Sequence, residues 1–94
     1  MGRVAIGIDS KLRRQFGPLR LDVEDESAQH LGHAGWREGG ETHFKVEIVS
    51  AAFEGQSRVA RQRQVYAALT EEFAAGLHAL ALTTLTPAED AARR

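Results

Sequence analysis

Residues 42–49 read THFKVEIV, and this stretch decides the fold. One series of alternate positions is mainly apolar and the other is mainly polar: the first is Thr42, Phe44, Val46 and Ile48, and the second is His43, Lys45, Glu47 and Val49. A period of two residues is typical of a β-strand with one buried face. We therefore predict a half-buried strand in which His43 is exposed on the charged face, beside Lys45 and Glu47.

A second stretch of the same kind precedes this strand. Residues 19–25 read LRLDVED, in which leucine or valine alternates with charged side chains, so another strand with one buried face is predicted. Residues 26–41 separate the two strands, and their glycines disfavour regular structure. Two such strands joined by a loop indicate an antiparallel pair, and a long irregular loop in a compact domain is often functional.

Apolar residues recur at helical spacing both before and after the two predicted strands. Val4, Ile8 and Leu12 are four residues apart, so residues 3–15 are predicted to form a helix that Phe16 continues and Gly17-Pro18 ends. Residues 50–53 are predicted to form one helical turn, closed by Gly55. Ser57 is the expected N-cap of a long helix that Gly76 stops. The apolar stripe predicted for this helix is Val59, Tyr66, Leu69 and Phe73, with Val65 beside it.

The end of the chain supplies a third strand. Residues 77–85, LHALALTTL, are predicted to form it, and the capping box over residues 86–89 makes residues 87–94 a short helix or a frayed tail. The first two strands each have one apolar and one charged face. We therefore predict a two-layer α+β sandwich, in which helices cover one side of a three-stranded sheet and the other side faces water.

Composition limits the class of protein. Ninety-four residues are expected to form one domain, residues 1–94. The net charge of −1 does not mark a nucleic-acid binder, and the absence of cysteine excludes disulfides and metal sites made from this chain's own thiolates. No apolar run of about 18 residues occurs, and the N-terminus lacks a signal-peptide core. A cytoplasmic protein without a membrane segment is expected.

Histidines are the main candidates for chemistry. No nucleophile with a base and no glycine-rich phosphate motif occurs, so an enzyme is not expected. His30 and His33 lie in the loop, which could hold a metal, bind an anion or simply join the strands; neutral imidazole suits zinc, copper and iron. His78 opens the last strand on the face of Leu80 and Leu82, at a rim or core position.

Three arginines crowd the start of the long helix: Arg58, Arg61 and Arg63. The helical turn before Gly55 and this helix together give a crude helix-turn-helix outline, which could place a basic helix against DNA. Ordinary solvation of the arginines is the alternative that the net charge favours.

Short strings along nearly the whole chain resemble the BolA proteins. They are DES (25–27), GETHFKVEIVS (40–50), FEG (53–55), VY (65–66), EE (71–72), HALAL (78–82) and TP (86–87). They follow in order with compatible spacing, and the combination of THF-V-IVS, F-G and HAL is specific. The GHAG segment at residues 32–35 is similar to the bacterial and organellar branch that carries histidine in this loop.

The resemblance implies an α-β-β-α-α-β fold related to the type II KH domain but without its GxxG loop, which this chain also lacks. It implies a monothiol glutaredoxin as partner and a [2Fe-2S] cluster shared with that glutaredoxin and glutathione. The invariant histidine of the family corresponds to His78, and a second ligand would come from the loop as His33 or His30. The isolated domain is expected to be a monomer or a weak dimer.

The same resemblance carries a rival function. Bacterial members are also described as regulators of stress response and cell morphology, so DNA binding by Arg58, Arg61 and Arg63, with Lys45 as a further candidate, is the alternative. One departure from the family pattern concerns the helix: many relatives read RHR-V-Y where this chain reads RQRQVY. The resemblance therefore does not carry over to Gln62 any role that needs an ionisable group, whereas His78 and the loop histidines are retained.

Overall fold

The computed structural model describes residues 2–27 and 40–93. In chain order the elements are α1 (Arg3–Phe16), β1 (Arg20–Asp25), β2 (His43–Val49), a 3₁₀ turn (Ala51–Phe53), α2 (Arg58–Ala68), α3 (Thr70–Ala74), β3 (Ala79–Leu85) and α4 (Pro87–Ala92). The strands form one sheet in the order β1-β2-β3. The predicted α+β class is confirmed. Within these two ranges, no helix is long and apolar enough to cross a membrane.

Helix α1 covers one face of the sheet with the apolar series that its spacing predicted. Val4, Ile8, Leu12 and Phe16 are all buried and belong to one core with the inward side chains of β2. The helix ends at Gly17, whose φ of 50° lies in the left-handed region that glycine favours, and whose N–H donates to the Arg13 carbonyl at 3.1 Å.

The register of the sheet separates its two faces. Strand β1 is antiparallel to β2, as predicted, and sets Val23 opposite Val46. Strand β3 is parallel to β2 and sets Leu82 opposite Val46, because the helices between β2 and β3 carry the chain back across the sheet. Paired residues share a face. This face, with Phe44 and Ile48, is the core face, and the residues between them belong to the second face.

The predicted long helix is broken, and its buried side differs from the predicted stripe. Helix α2 ends at Ala68, and α3 begins at Thr70. The buried positions Arg61, Val65 and Leu69 are spaced by four, whereas Val59 and Tyr66 are exposed. The stripe was therefore wrong for Val59 and Tyr66. The apolar pattern could not identify position 61 as buried, because that position holds an arginine.

The predicted helix caps are confirmed. The Ser57 hydroxyl accepts the Ala60 N–H at 3.1 Å and begins α2. The Thr86 hydroxyl accepts the Glu89 N–H at 3.1 Å, and the Glu89 carboxylate accepts the Thr86 N–H at 2.8 Å, which completes the capping box of α4. Because each cap satisfies backbone donors that the first turn leaves unpaired, both helix starts are fixed locally.

Helix α4 lies against one end of the second face, so the prediction that this face is open to water was wrong there. Val49 and Leu85, which pair across β2 and β3, are both buried. Asp90 of α4 accepts a hydrogen bond from Arg20 of β1 at 2.7 Å. Arg93 donates to Glu47 of β2 at 3.0 Å. Residues 87–93 are therefore held against the sheet and are not a frayed tail.

Candidate functional site

His78 lies at the entrance to β3. It immediately precedes the strand, which begins at Ala79 rather than at Leu77, and its side chain is exposed. Its backbone N–H donates to the Thr42 carbonyl at 2.7 Å, and the Ala79 N–H donates to the same oxygen at 3.1 Å. The rim position was predicted correctly, but the side chain is not part of the core. An exposed imidazole on a firmly held backbone is suited to meet a ligand from outside.

His43 is buried, so its predicted exposure was wrong. Its side chain belongs to the second face of the sheet, and the ring centroid of His78 lies 5.4 Å from its own. Its Nδ1 lies 2.9 Å from the hydroxyl oxygen of Thr42. The alternation of β2 placed His43 on the correct face. It could not show that a residue from β3's entrance would cover that face.

Asp25 holds the two ends of the loop together. One carboxylate oxygen accepts the N–H of Ser27 at 2.9 Å and its hydroxyl at 2.5 Å. The other accepts the N–H of Glu41 at 3.0 Å. The Ser27 oxygen in turn accepts the N–H groups of Thr42 at 2.9 Å and His43 at 3.1 Å. The DES and GETH strings are therefore the two halves of one clamp, which sequence reasoning noted as strings but did not connect.

The charge of Asp25 is stabilised by these contacts. Partial burial acts to raise the pKa of Asp25, but the hydrogen bonds from Ser27 and Glu41 outweigh it, so the pKa lies below its ordinary value. The neighbouring His43 acts in the same direction. The clamp is therefore built around a carboxylate, because an ionised group accepts hydrogen bonds more strongly than a neutral one.

Glu41 connects the loop end to α1. Its two carboxylate oxygens accept the N–H groups of Val4 at 3.3 Å and Ala5 at 3.0 Å, at the positive end of the helix. Its backbone has φ of 64°, the left-handed region that is unfavourable for a residue with a side chain. The backbone of residue 41 is therefore held by two sets of contacts, the clamp and the helix start.

The loop histidines His30 and His33 lie outside the described residues. The described residues on either side, Ser27 and Gly40, place both ends of the loop beside Thr42, whose carbonyl binds the entrance to β3. Within residues 2–27 and 40–93, no group of three or more His, Cys, Asp or Glu side chains is placed to hold a metal ion. Ligation by His30 or His33 stays a prediction.

The four basic residues of the DNA hypothesis do not form one surface. Arg58 and Arg63 are exposed on α2, but Arg61 is buried. The Arg61 guanidinium donates to the carbonyl of Gln56 at 3.0 Å and to the carboxylate of Glu89 at 2.6 Å. Arg61 therefore joins α2 to α4 and was wrongly placed among the DNA contacts.

Glu89, Lys45 and Gln62 are the remaining polar residues that bear on the DNA hypothesis and on the family pattern. The Arg61 guanidinium and the N–H of Thr86 lower the pKa of Glu89 to about 2, so Glu89 is ionised throughout the neutral range. Lys45 is exposed on the second face of the sheet, opposite Glu24 of β1. Gln62, which departs from the family pattern, is exposed on α2.

A groove of about 630 Å³ is lined by residues of α1, β1 and β2, and neither His43 nor His78 is among them. Four carboxylates and two basic side chains line this groove. Arg13 donates to Asp9 at 3.0 Å, and Lys45 lies opposite Glu24 in the sheet.

The structure now defines a class: an α+β domain with a mixed three-stranded sheet whose last strand follows an exposed histidine beside a clamped loop. A comparison with protein families matches residues 12–89 to the family described as "BolA-like protein". The chain belongs to the BolA-like family, as the resemblance predicted.

Solved and curated relatives agree with this assignment. The BolA domain of SufE1 from Arabidopsis thaliana is 46% identical, with a TM-score of 0.85, and the match covers 95% of this chain and 98% of that chain. Protein BOLA1, chloroplastic, of the same plant is 51% identical over 81 residues, which cover 84% of this chain and 51% of the relative. The chain thus spans about half of that relative and a quarter of another.

One bacterial relative carries a functional name. The DNA-binding transcriptional regulator BolA of Escherichia coli (strain K12) is 46% identical over 79 residues, which cover 84% of this chain and 71% of the relative. One relative named as a transcriptional regulator and relatives named only as BolA-like proteins are therefore both similar in sequence to this chain.

Proposed function

We propose that this chain is a non-enzymatic adaptor of the cytoplasm that binds a monothiol glutaredoxin and shares a [2Fe-2S] cluster with it, in iron–sulfur trafficking or iron regulation. The observation that carries the proposal is the exposed imidazole of His78, at the residue that the BolA resemblance identifies as the family histidine. The backbone N–H groups of His78 and Ala79 both donate to the Thr42 carbonyl, so the ligand would be presented from a rigid element.

The donor set fits such a cluster. The chain has no cysteine, so all thiolates would come from the glutaredoxin and from glutathione. His78 would bind one iron together with His33 or His30, and two imidazoles at one iron raise the reduction potential of a [2Fe-2S] cluster relative to an all-thiolate site. Since only a deprotonated imidazole nitrogen can bind iron, sharing of the cluster is expected to weaken at acidic pH.

Visible circular dichroism tests the proposal. A monothiol glutaredoxin loaded with its cluster is titrated with the wild-type chain and with His78→Ala. We expect a new spectrum that saturates at one chain per glutaredoxin and that His78→Ala does not produce. His30→Ala and His33→Ala, measured in the same way, identify which loop histidine binds.

The control is Arg63→Ala, which changes an exposed residue of α2 and is expected to reproduce the wild-type titration. A wild-type chain that binds the glutaredoxin without changing the cluster spectrum would reduce the proposal to an adaptor without a shared cluster. A chain that neither binds nor changes the spectrum would refute it.

A second candidate, DNA binding, is favoured by the name of the E. coli relative. In this chain the contacts would come from Arg58 and Arg63, which are exposed on α2, and from Lys45 on the sheet. Fluorescence anisotropy of a labelled duplex, repeated at several salt concentrations, tests it. Genuine phosphate contacts give a steep fall in affinity with salt, and the double variant Arg58→Ala/Arg63→Ala would flatten that slope by about two phosphate contacts.

A further inference from the structure

A chain of hydrogen bonds runs from Asp25 to His43. The Ser27 hydroxyl donates to Asp25 at 2.5 Å, the Ser27 oxygen accepts the backbone N–H groups of residues 42 and 43, and the Thr42 hydroxyl lies 2.9 Å from Nδ1 of His43. The side chains of Ser27, Thr42 and His43 are buried. A buried chain of this kind fixes ring orientation, because each hydroxyl loses a hydrogen bond if its neighbour turns away.

The Thr42 hydroxyl links Ser27 to His43. It donates to the Ser27 oxygen at 3.3 Å and lies 2.9 Å from Nδ1 of His43. The ring of His43 is therefore held at Nδ1 by the hydrogen-bonded chain that begins at Asp25.

The oriented ring of His43 packs against His78. The two ring centroids are 5.4 Å apart and the planes are inclined by 53°, a tilted contact within the range of favourable aromatic pairs. Of the two rings, only His43 is buried. The exposed ring of His78 therefore packs on a ring whose own orientation is held by its contact with the Thr42 hydroxyl.

We propose that His43 is a positioning residue: it holds the imidazole of His78 in the orientation from which His78 binds its ligand. The role of His78 as a ligand rests on the proposed function, whereas its orientation by His43 does not. An exposed histidine samples several rotamers, and packing on a fixed ring removes most of them. Residues that orient a metal ligand commonly change affinity by about 10- to 100-fold when they are replaced.

Three variants separate orientation from general stability. Thr42→Val removes the hydroxyl at nearly constant shape, and Thr42→Ser keeps the hydroxyl and serves as the rescue. His43→Phe keeps a flat ring but removes both ring nitrogens. The first measurement uses the isolated chain: long-range ¹H–¹⁵N spectra of the imidazole rings, with backbone amide spectra to confirm that each variant is folded.

We expect the ring signals of His78 to move towards those of a free imidazole in Thr42→Val and His43→Phe, and to stay near the wild-type positions in Thr42→Ser. If the His78 ring signals are unchanged in both Thr42→Val and His43→Phe, the inference is overturned. Thr42→Val retains His43 and removes only the hydroxyl that orients its ring. The test therefore holds even if His43→Phe does not fold.

The second measurement is the titration of cluster-loaded glutaredoxin. Thr42→Val and His43→Phe are expected to form the shared cluster about tenfold less tightly, with an altered spectrum, and Thr42→Ser as tightly as wild type. If these two variants shift the ring signals of His78 but share the cluster with wild-type affinity and spectrum, the contact between His43 and His78 is only structural. That result would overturn the positioning role. If even the wild type shares no cluster, the proposed function fails, and the ring spectra alone decide whether His43 orients His78.

Discussion

At the scale of single residues, Asp25 does more than its position at the end of a strand suggests. It is the last residue of β1, and its two oxygens receive hydrogen bonds from both ends of the loop. The Ser27 oxygen in turn accepts the N–H groups of residues 42 and 43, and so fixes the start of β2 relative to Asp25. One carboxylate thereby joins the point where the loop leaves the sheet to the point where it returns.

Replacing Asp25 with asparagine removes the charge and tests this role. We expect the free energy of unfolding to fall by about 1 kcal/mol at neutral pH, a value reduced for the exposure of Asp25 to solvent. Since the pKa of folded Asp25 lies below its ordinary value of 3.8, the stabilisation is complete above that value and is lost as the pH falls through the folded pKa. Urea unfolding at neutral pH and at about pH 3 measures the difference.

The matched control is Glu24→Gln, an exposed neighbour on the same strand. It is expected to change stability by less than about 0.5 kcal/mol. If Asp25→Asn is no worse than this control, or if its effect is the same at both pH values, the clamp does not stabilise the fold through its charge.

At the scale of elements, a charged residue holds α2 in place. Arg61 occupies the buried series with Val65 and Leu69, and its guanidinium ties α2 to the capping box of α4 through Glu89. Its burial is compensated, because it also donates to the carbonyl oxygens of Gln56 and Thr84. A fully paired guanidinium can replace an apolar side chain at a core boundary, whereas an unpaired one cannot.

Arg61→Ala is therefore expected to lower the free energy of unfolding by about 2 kcal/mol. The loss is smaller than for a fully buried pair, because the partner Glu89 remains partly exposed and can be solvated. Arg63→Ala, on the exposed side of the same helix, is the control and is expected to stay within about 0.5 kcal/mol. Equal effects of the two substitutions in chemical denaturation would show that Arg61 is an ordinary surface residue.

The start of α1 depends on a residue 36 positions away. Glu41 accepts the N–H groups of Val4 and Ala5, so Glu41→Ala should cost about 1 kcal/mol, as the loss of a helix cap does. Glu41→Gln keeps one acceptor oxygen and should cost less. Both substitutions keep a side chain at the same positive φ, so backbone strain does not differ between them. Thermal unfolding followed by circular dichroism makes the comparison, and equal losses would contradict the capping role.

At the scale of the whole molecule, periodicity predicted the elements, and contacts distant in sequence explain its errors. The alternation in residues 42–49 and the four-residue spacing in α1 predicted both the strands and the core, because burial of one face imposes those periods. The same patterns could not show that α4 returns to cover Val49, or that Arg61 is buried by partners from three other segments.

The candidate site was predictable only in part, for the same reason. The resemblance identified His78, and the structure places it exposed at the sheet end. Neither the spacing nor the resemblance revealed that His43 lies beneath it, because that contact joins residues 35 positions apart through the parallel pairing of β2 with β3. Parallel pairing over such a separation leaves no local signal in a sequence.

The docking of α4 gives the last prediction, because it closes the end of the sheet opposite the histidines. Deleting residues 87–94 would expose Val49 and Leu85, remove the contact of Arg20 with Asp90, and leave the buried Arg61 without Glu89. Burial of each aliphatic side chain contributes about 1.5–3 kcal/mol, so for the two side chains we expect the free energy of unfolding to fall by at least about 3 kcal/mol. Amide hydrogen exchange should accelerate at Ser50, whose N–H donates to the Leu85 carbonyl.

Arg93→Ala separates this burial from the surface charge of the helix. Arg93 is about half exposed and reaches Glu47 at 3.0 Å, so its loss should cost less than about 1 kcal/mol. A deletion that costs no more than Arg93→Ala would mean that Val49 and Leu85 stay covered without α4. A large loss together with fast exchange at Ser50, and unchanged ring signals of His43 and His78, would instead show that the two ends of the second face are stabilised independently.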